Sequence, residues 1–146
     1  MGLIDDAGKG PIGLDTAPFI YLIEEHPRFL RVVEPLFVAI DTGRRAAATS
    51  TLTLLETLVV PYRVGDVALA EHYEAVLAGG RGLRLVEMDR PVLRAAAALR
   101  ARTAIRTPDA IQLASALSAG CTAFVTGDRR LPSLPGLRVL ALADYA

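Results

Sequence analysis

Apolar and polar positions alternate along this chain in short blocks, and the blocks change period repeatedly. Residues 11–14 form a short apolar run ending at Asp15-Thr16, which reads as a buried strand. Pro18 then opens a helix over 18–25 with Phe19, Leu22 and Ile23 facing inward. A second helix restarts at Pro27 and runs to about 41, with Leu30, Val33, Phe37 and Val38 on its buried side and Glu34 in solvent. Pro35 falls inside that span and predicts a kink or a break. Residues 45–48 make a second strand, and Ser50 or Thr51 caps a helix to about 60, closed by Pro61. A helix over 64–78 stops at Gly79-Gly80, and 83–86 is a third strand. Asp89 caps the next helix, with Pro91 near its start and Val92, Ala95, Ala96 and Leu99 as its inward stripe. In the following unit Thr107 is an N-cap, Pro108 takes the first helical position and Asp109 lies in the first turn, where the dipole favours negative charge. Ala110, Leu113, Ala114 and Leu117 form its core stripe, Gly120 is a left-handed cap, and 123–125 is a buried strand that turns out at Thr126-Gly127-Asp128. A last strand covers 137–140.

Strands separated by helices imply right-handed parallel crossovers with helices on both sheet faces. The expected architecture is α/β: three α/β/α layers around a mainly parallel sheet of about five short strands. In such sheets ligands bind outside the carboxyl ends of the strands. Residues 1–10, with three glycines and no periodicity, read as a flexible lead, and 11–146 as a single domain.

Composition narrows the class. With 146 residues and 52% hydrophobic content the chain buries a substantial core as one domain. Sixteen basic and sixteen acidic residues cancel, so no global field steers it to nucleic acid. Lys9 is the only lysine among the basic residues. Arginine suits phosphate recognition, although the abundance of alanine makes base composition the plainer cause. Cys121 is the single cysteine, which rules out an internal disulfide and suits a small buried hydrophobe in a reducing compartment. His26 and His72 are too few for a zinc site. The acidic start lacks a signal-peptide pattern, and no apolar run nears the ~20 residues of a membrane span. A cytoplasmic protein without membrane attachment is expected.

Four acids stand out against this apolar background. Asp15 ends the first strand and Asp128 follows the fourth; Asp109 begins the helix before the fourth, and Glu56 is the one acid in T-S-T-L-T-L-L-E-T-L-V-V. Each has a structural reading: a cap, a solvated stripe, a dipole partner, a turn residue. Only a wound sheet can gather them, and Asp15 and Asp128 emerge side by side if strands one and four are neighbours. Gathered carboxylates repel one another unless a cation joins them, and Mg²⁺ or Mn²⁺ prefers such oxygen donors. The ion activates a water and neutralises charge on a phosphodiester. Thr16 and Thr126 can orient the carboxylates through their hydroxyls.

The segments G-L-D-T-A-P-F-I-Y-L at 13–22, Glu56, T-P-D-A-I-Q-L-A-S-A at 107–116 and V-T-G-D-R-R-L at 125–131 resemble the PIN-domain family, in particular VapC-type toxins of toxin–antitoxin pairs. The resemblance covers about 11–142. It implies a Mg²⁺- or Mn²⁺-dependent endoribonuclease with Asp15, Glu56, Asp109 and Asp128 as metal-binding catalytic acids and Thr126 as a supporting hydroxyl. It also implies a homodimer and a small antitoxin laid over the active-site groove. The first acid falls later than is usual in the family, and neutrality leaves RNA binding to local arginines. Candidates are Arg44-Arg45, the set Arg100, Arg102 and Arg106, and Arg129-Arg130. An aspartyl phosphatase wants D-x-D, a receiver domain a late lysine, and a dinucleotide-binding domain G-x-G-x-x-G; the sequence lacks all three. A PIN-like binding module without turnover, or a DNA-directed nuclease with no room for a long DNA-binding insertion, are the remaining alternatives.

Overall fold

The computed structural model of the chain describes residues 2–146. Five strands form one sheet: β1 (Ile12–Leu14), β2 (Ala47–Ser50), β3 (Leu83–Val86), β4 (Ala123–Thr126) and β5 (Arg138–Ala141). Every pairing is parallel and the order is β3-β2-β1-β4-β5. Among the described residues seven helices accompany them: α1 (Leu3–Asp6), α2 (Thr16–Ile23), α3 (Leu30–Asp41), α4 (Leu52–Val64), α5 (Val67–Leu77), α6 (Arg90–Arg102) and α7 (Thr107–Ser118), followed by a closing 3₁₀ turn, Leu142–Tyr145.

The expected three-layer arrangement is present, and strand alternation explains it. Ile12, Leu14, Ala123 and Val125 face one core with Phe19, Val33, Leu36 and Phe37 of α2 and α3. Ala48, Val86 and Phe124 point the other way, into a core with Val92, Ala96 and Leu99 of α6 and Leu113 and Ala114 of α7. Both faces are covered, so β1, β2 and β4 are buried along their whole length. Gly13 is what lets α7 approach β1: a Cβ there would lie 2.7 Å from the Ala116 Cβ and 2.8 Å from the Phe124 ring. A smaller cluster joins α4 and α5 through Leu58, Ala70 and Tyr73.

Several local expectations give way to packing. The stretch read as a flexible lead contains α1, and Leu3 and Ala7 are buried in the first core. Side chains from elsewhere anchor it: Arg45 donates to the Ile4 and Gly10 carbonyls, Arg138 donates to the Asp6 carbonyl, and the Tyr145 hydroxyl donates to the Asp6 carboxylate. Helix α3 runs through Pro35 unbroken, because Val33, Leu36, Phe37 and Ile40 bury one face and outweigh a single lost backbone bond. Val38, expected inside, is 46% exposed. Helix α4 likewise continues past Pro61 to a left-handed cap at Gly65, φ 73°. Arg106, rather than Thr107, is the N-cap of α7 and contributes no side-chain cap. Cys121 packs in the second core, where burial pushes its thiol up to about 11.

Candidate active site

A parallel sheet puts all its carboxyl ends on one edge. In this order the chain winds from β1 toward β2 and β3 on one side and toward β4 and β5 on the other. The crevice where a ligand fits therefore opens beyond β1 and β4. Leu14 pairs with Val125, so Asp15, just beyond β1, comes out beside Thr126 at the end of β4.

Asp15 caps α2, its Oδ1 accepting from the Ala17 amide at 3.1 Å, while Oδ2 accepts from the Thr126 hydroxyl at 2.5 Å. The cap and the cleft use the same side chain through different oxygens. Burial pushes the Asp15 carboxyl up to about 7, against the opposing effect of the Thr126, Ala17 and Gly127 hydrogen bonds. Glu56, on α4, accepts from the Thr16 hydroxyl at 2.7 Å, which draws it to the start of α2. Asp109 lies half-buried in the first turn of α7. Its carboxyl is raised by desolvation and by the charges of Asp128 and Glu56, with Arg106 and Arg130 partly offsetting them. Asp128 is held below the usual carboxylate range by Arg130, which bonds it through its side chain and its backbone amide. All four acids line one cleft, with Thr16, Tyr21, Gln112 and Gly127. Gly127 is closed to side chains, since a Cβ would sit 2.8 Å from that of Ala17.

The donor set suits a hard divalent cation: only carboxylates, supported by hydroxyls, with mutual repulsion only partly offset at Asp109. Among the described residues, no three acidic, histidine or cysteine side chains converge closely enough to hold an ion as they stand. The match is one of chemistry and common cleft, with Asp128 turned toward Arg130.

A buried polar chain lies beneath the cleft and was not singled out from the sequence. The Thr49 hydroxyl donates to the Leu14 carbonyl at 2.7 Å and lies 2.7 Å from that of Thr53; Gln112 donates to Thr53 at 2.8 Å and accepts from the Ser50 amide at 3.4 Å. It ties together the three elements that carry Asp15, Glu56 and Asp109. The available signal was the density of Thr and Ser before α4 and a lone Gln in the apolar stripe of α7.

The structure separates the candidate arginines. Arg44 and Arg45 precede β2, at the amino ends of the strands and so on the edge opposite the acids. Arg45 is tied to backbone carbonyls there, and Arg44 to the Thr42 hydroxyl. These two candidates for RNA contact therefore do not share an edge with the acids, because local sequence does not reveal which end of a strand faces the site. Arg129 turns to Asp144 at 2.9 Å, and Arg100 to the Ile105 carbonyl. Arg106 and Arg130 remain beside the acids, lining an adjoining cavity with Asp109 and Asp128.

The fold and this acid-lined cleft define an α/β protein with its site at the carboxyl edge of a five-stranded parallel sheet. The PIN-domain family model matches residues 12–137, and the chain belongs to that family. It is similar in structure to a toxin–antitoxin complex from Klebsiella pneumoniae: TM-score 0.67, 19% identity, 91% of this chain and 97% of that one. VapBC2 from Rickettsia felis, bound to a promoter DNA fragment, gives a TM-score of 0.62 at 17% identity over 90% of this chain and 98% of that one. The Mycobacterium tuberculosis toxin VapC20, a sarcin–ricin loop cleaving toxin, gives 0.63 at 17% identity over 77% and 86% of the two chains. No curated protein matches the sequence.

Proposed function

We propose that the chain is a divalent-metal-dependent endoribonuclease acting as the toxin of a toxin–antitoxin pair. The observation that carries this reading is the single cleft lined by Asp15, Glu56, Asp109 and Asp128 at the carboxyl edge of β1 and β4. Membership of the PIN-domain family and the likeness to toxin–antitoxin proteins, among them the sarcin–ricin loop cleaving toxin VapC20, support it. Mg²⁺ or Mn²⁺ held by these four acids would supply Lewis acidity toward the phosphodiester and toward water. The chain's own residues do the rest. Thr126 and the Ala17 amide fix both oxygens of Asp15, and Thr16 fixes Glu56, so two carboxylates are oriented before any ligand arrives. Asp15, raised to about 7, gives up its proton when it binds a cation near neutral pH. Arg130 offers a guanidinium to RNA phosphate from the rim, where it now pairs with Asp128.

The same reading includes a small cognate antitoxin and a second copy of the chain as partners. An exposed apolar face on α4 supports a partner: Leu55, Val59 and Tyr62, spaced i, i+4 and i+7, are 58%, 40% and 62% exposed. It begins beside Glu56, so a protein seated on it also reaches the cleft. Among the described residues no helix is long and apolar enough to cross a membrane.

Asp109→Asn tests the reading. It removes one carboxylate and relieves repulsion from Asp128 and Glu56. Mn²⁺-dependent RNA cleavage should fall at least about a hundredfold with no loss of thermal stability. Cleavage at the wild-type rate would sink the assignment. A binding module would hold RNA equally well in EDTA and cleave nothing with Mn²⁺.

A further inference from the structure

Beside the acid cleft lies a second cavity of about 470 Å³, between the loop joining α6 to α7 and the loop after β4. The two share Asp109 and Asp128, so they form one continuous groove. Their chemistry differs. The cleft is lined by acids, whereas the second cavity adds Arg106 and Arg130 to apolar walls at Ile105, Leu131 and Pro132. Its floor is set in place by two bonds: Arg100 Nε donates to the Ile105 carbonyl at 3.2 Å, and the Ile105 amide donates to the Thr103 hydroxyl at 3.3 Å. Arg106 acts on both shared acids, lowering the carboxyl pKa of Asp109 and of Asp128. Yet among the described residues its side chain makes no ion pair within 4.0 Å. Arg130, by contrast, is paired with Asp128.

Resting on the nuclease reading above, we propose that this cavity is the subsite for the nucleotide next to the scissile phosphate. Arg106 grips the flanking phosphate through its planar fork, and the base lies against Leu131 and Pro132. The volume lies within the roughly 300–1,000 Å³ range of small-molecule sites. An unpaired guanidinium beside an apolar wall matches the two halves of a nucleotide, charged phosphate and flat base. Adjacency to the cleft supplies the direction: a strand whose phosphodiester meets the acids has Arg106 in the next cavity, across the shared Asp109 and Asp128. The acids repel phosphate, so the arginine beside them also holds the strand in register before a cation binds.

Two variants probe the subsite independently. Arg106→Ala removes the phosphate contact, and Ala104→Glu adds a carboxylate at an exposed lining position without disturbing the core. Arg44→Ala, on the opposite edge of the sheet, is the control. The probe is a short fluorescein-labelled single-stranded RNA, titrated by anisotropy in EDTA and cleaved under steady-state conditions with Mn²⁺. Both variants should raise Kd and KM about fivefold to tenfold and leave kcat within about twofold, while Arg44→Ala changes neither. Arg106→Ala should also reduce the slope of log Kd against log salt by roughly 0.7, one phosphate contact on a single strand. Wild-type Kd, KM and salt slope in both variants would overturn the subsite; so would a fall in kcat at unchanged KM, which would mean that Arg106 serves only the electrostatics of the carboxylates and binds no phosphate. A wild-type protein that cleaves no RNA with Mn²⁺ would overturn the nuclease reading instead, and the EDTA titrations would still decide whether the cavity holds RNA.

Discussion

At the residue scale, Asp15 holds opposing demands together. It must be enclosed to stand at the mouth of β1 between Thr126 and Ala17, and enclosure favours its protonated form. A carboxyl raised from 3.8 to about 7 binds its proton more tightly in the folded chain than in the unfolded one. Its effect on stability is therefore absent below the unfolded value and grows as a cost while pH rises from about 4 to about 7. In metal-free protein, Asp15→Asn should gain melting temperature relative to wild type at pH 8 and much less at pH 5; a pH-independent difference would contradict the assignment. Cation binding carries the complementary sign, because the ligand form is the carboxylate. Mn²⁺ affinity measured by calorimetry should weaken as pH falls through about 7, approaching tenfold per pH unit, with a proton released on binding.

At the scale of elements, the acids are only as well placed as the strands and helices that carry them. Leu14, Thr49, Thr53 and Gln112 link β1, β2, α4 and α7 by buried hydrogen bonds. Gln112 follows Asp109 by one helical turn and Thr53 precedes Glu56 by one, so the network sets the rotation of both helices. Replacing Gln112 with Leu leaves polar partners unpaired in a buried place, at a cost of about 1–3 kcal/mol. Urea unfolding should show a lower midpoint at unchanged slope, and kcat should fall as Asp109 loses its position. A wild-type midpoint would show that the chain of hydroxyls adjusts without it. Elements also decided the fate of the prolines: a periodic apolar face carried α3 through Pro35 and α4 past Pro61, where a local rule predicts an end.

At the scale of the whole molecule, the α4 face of Leu55, Val59 and Tyr62 is too apolar to be left to water. Sedimentation should give an assembly larger than one chain, or a chain stabilised by a co-expressed antitoxin. The double change Leu55→Glu with Tyr62→Glu should abolish either while leaving the melting temperature nearly unchanged. A stable wild-type monomer that no partner stabilises would count against the assembly. The sequence alone determined the class of fold and the identity of the acids. Alternating short apolar blocks force helices onto both faces of a parallel sheet, and a carboxylate at a strand end or a helix start is visible in one dimension. Tertiary structure alone decided which side chains meet. Strand order put β1 beside β4, and so joined Asp15 to Thr126 across the chain. Strand direction sent Arg44 and Arg45 to the far edge and left Arg106 at the site. Burial of Leu3 converted an apparent lead into part of the core. Each of these rests on contacts between residues distant in sequence, and local periodicity carries no record of such contacts.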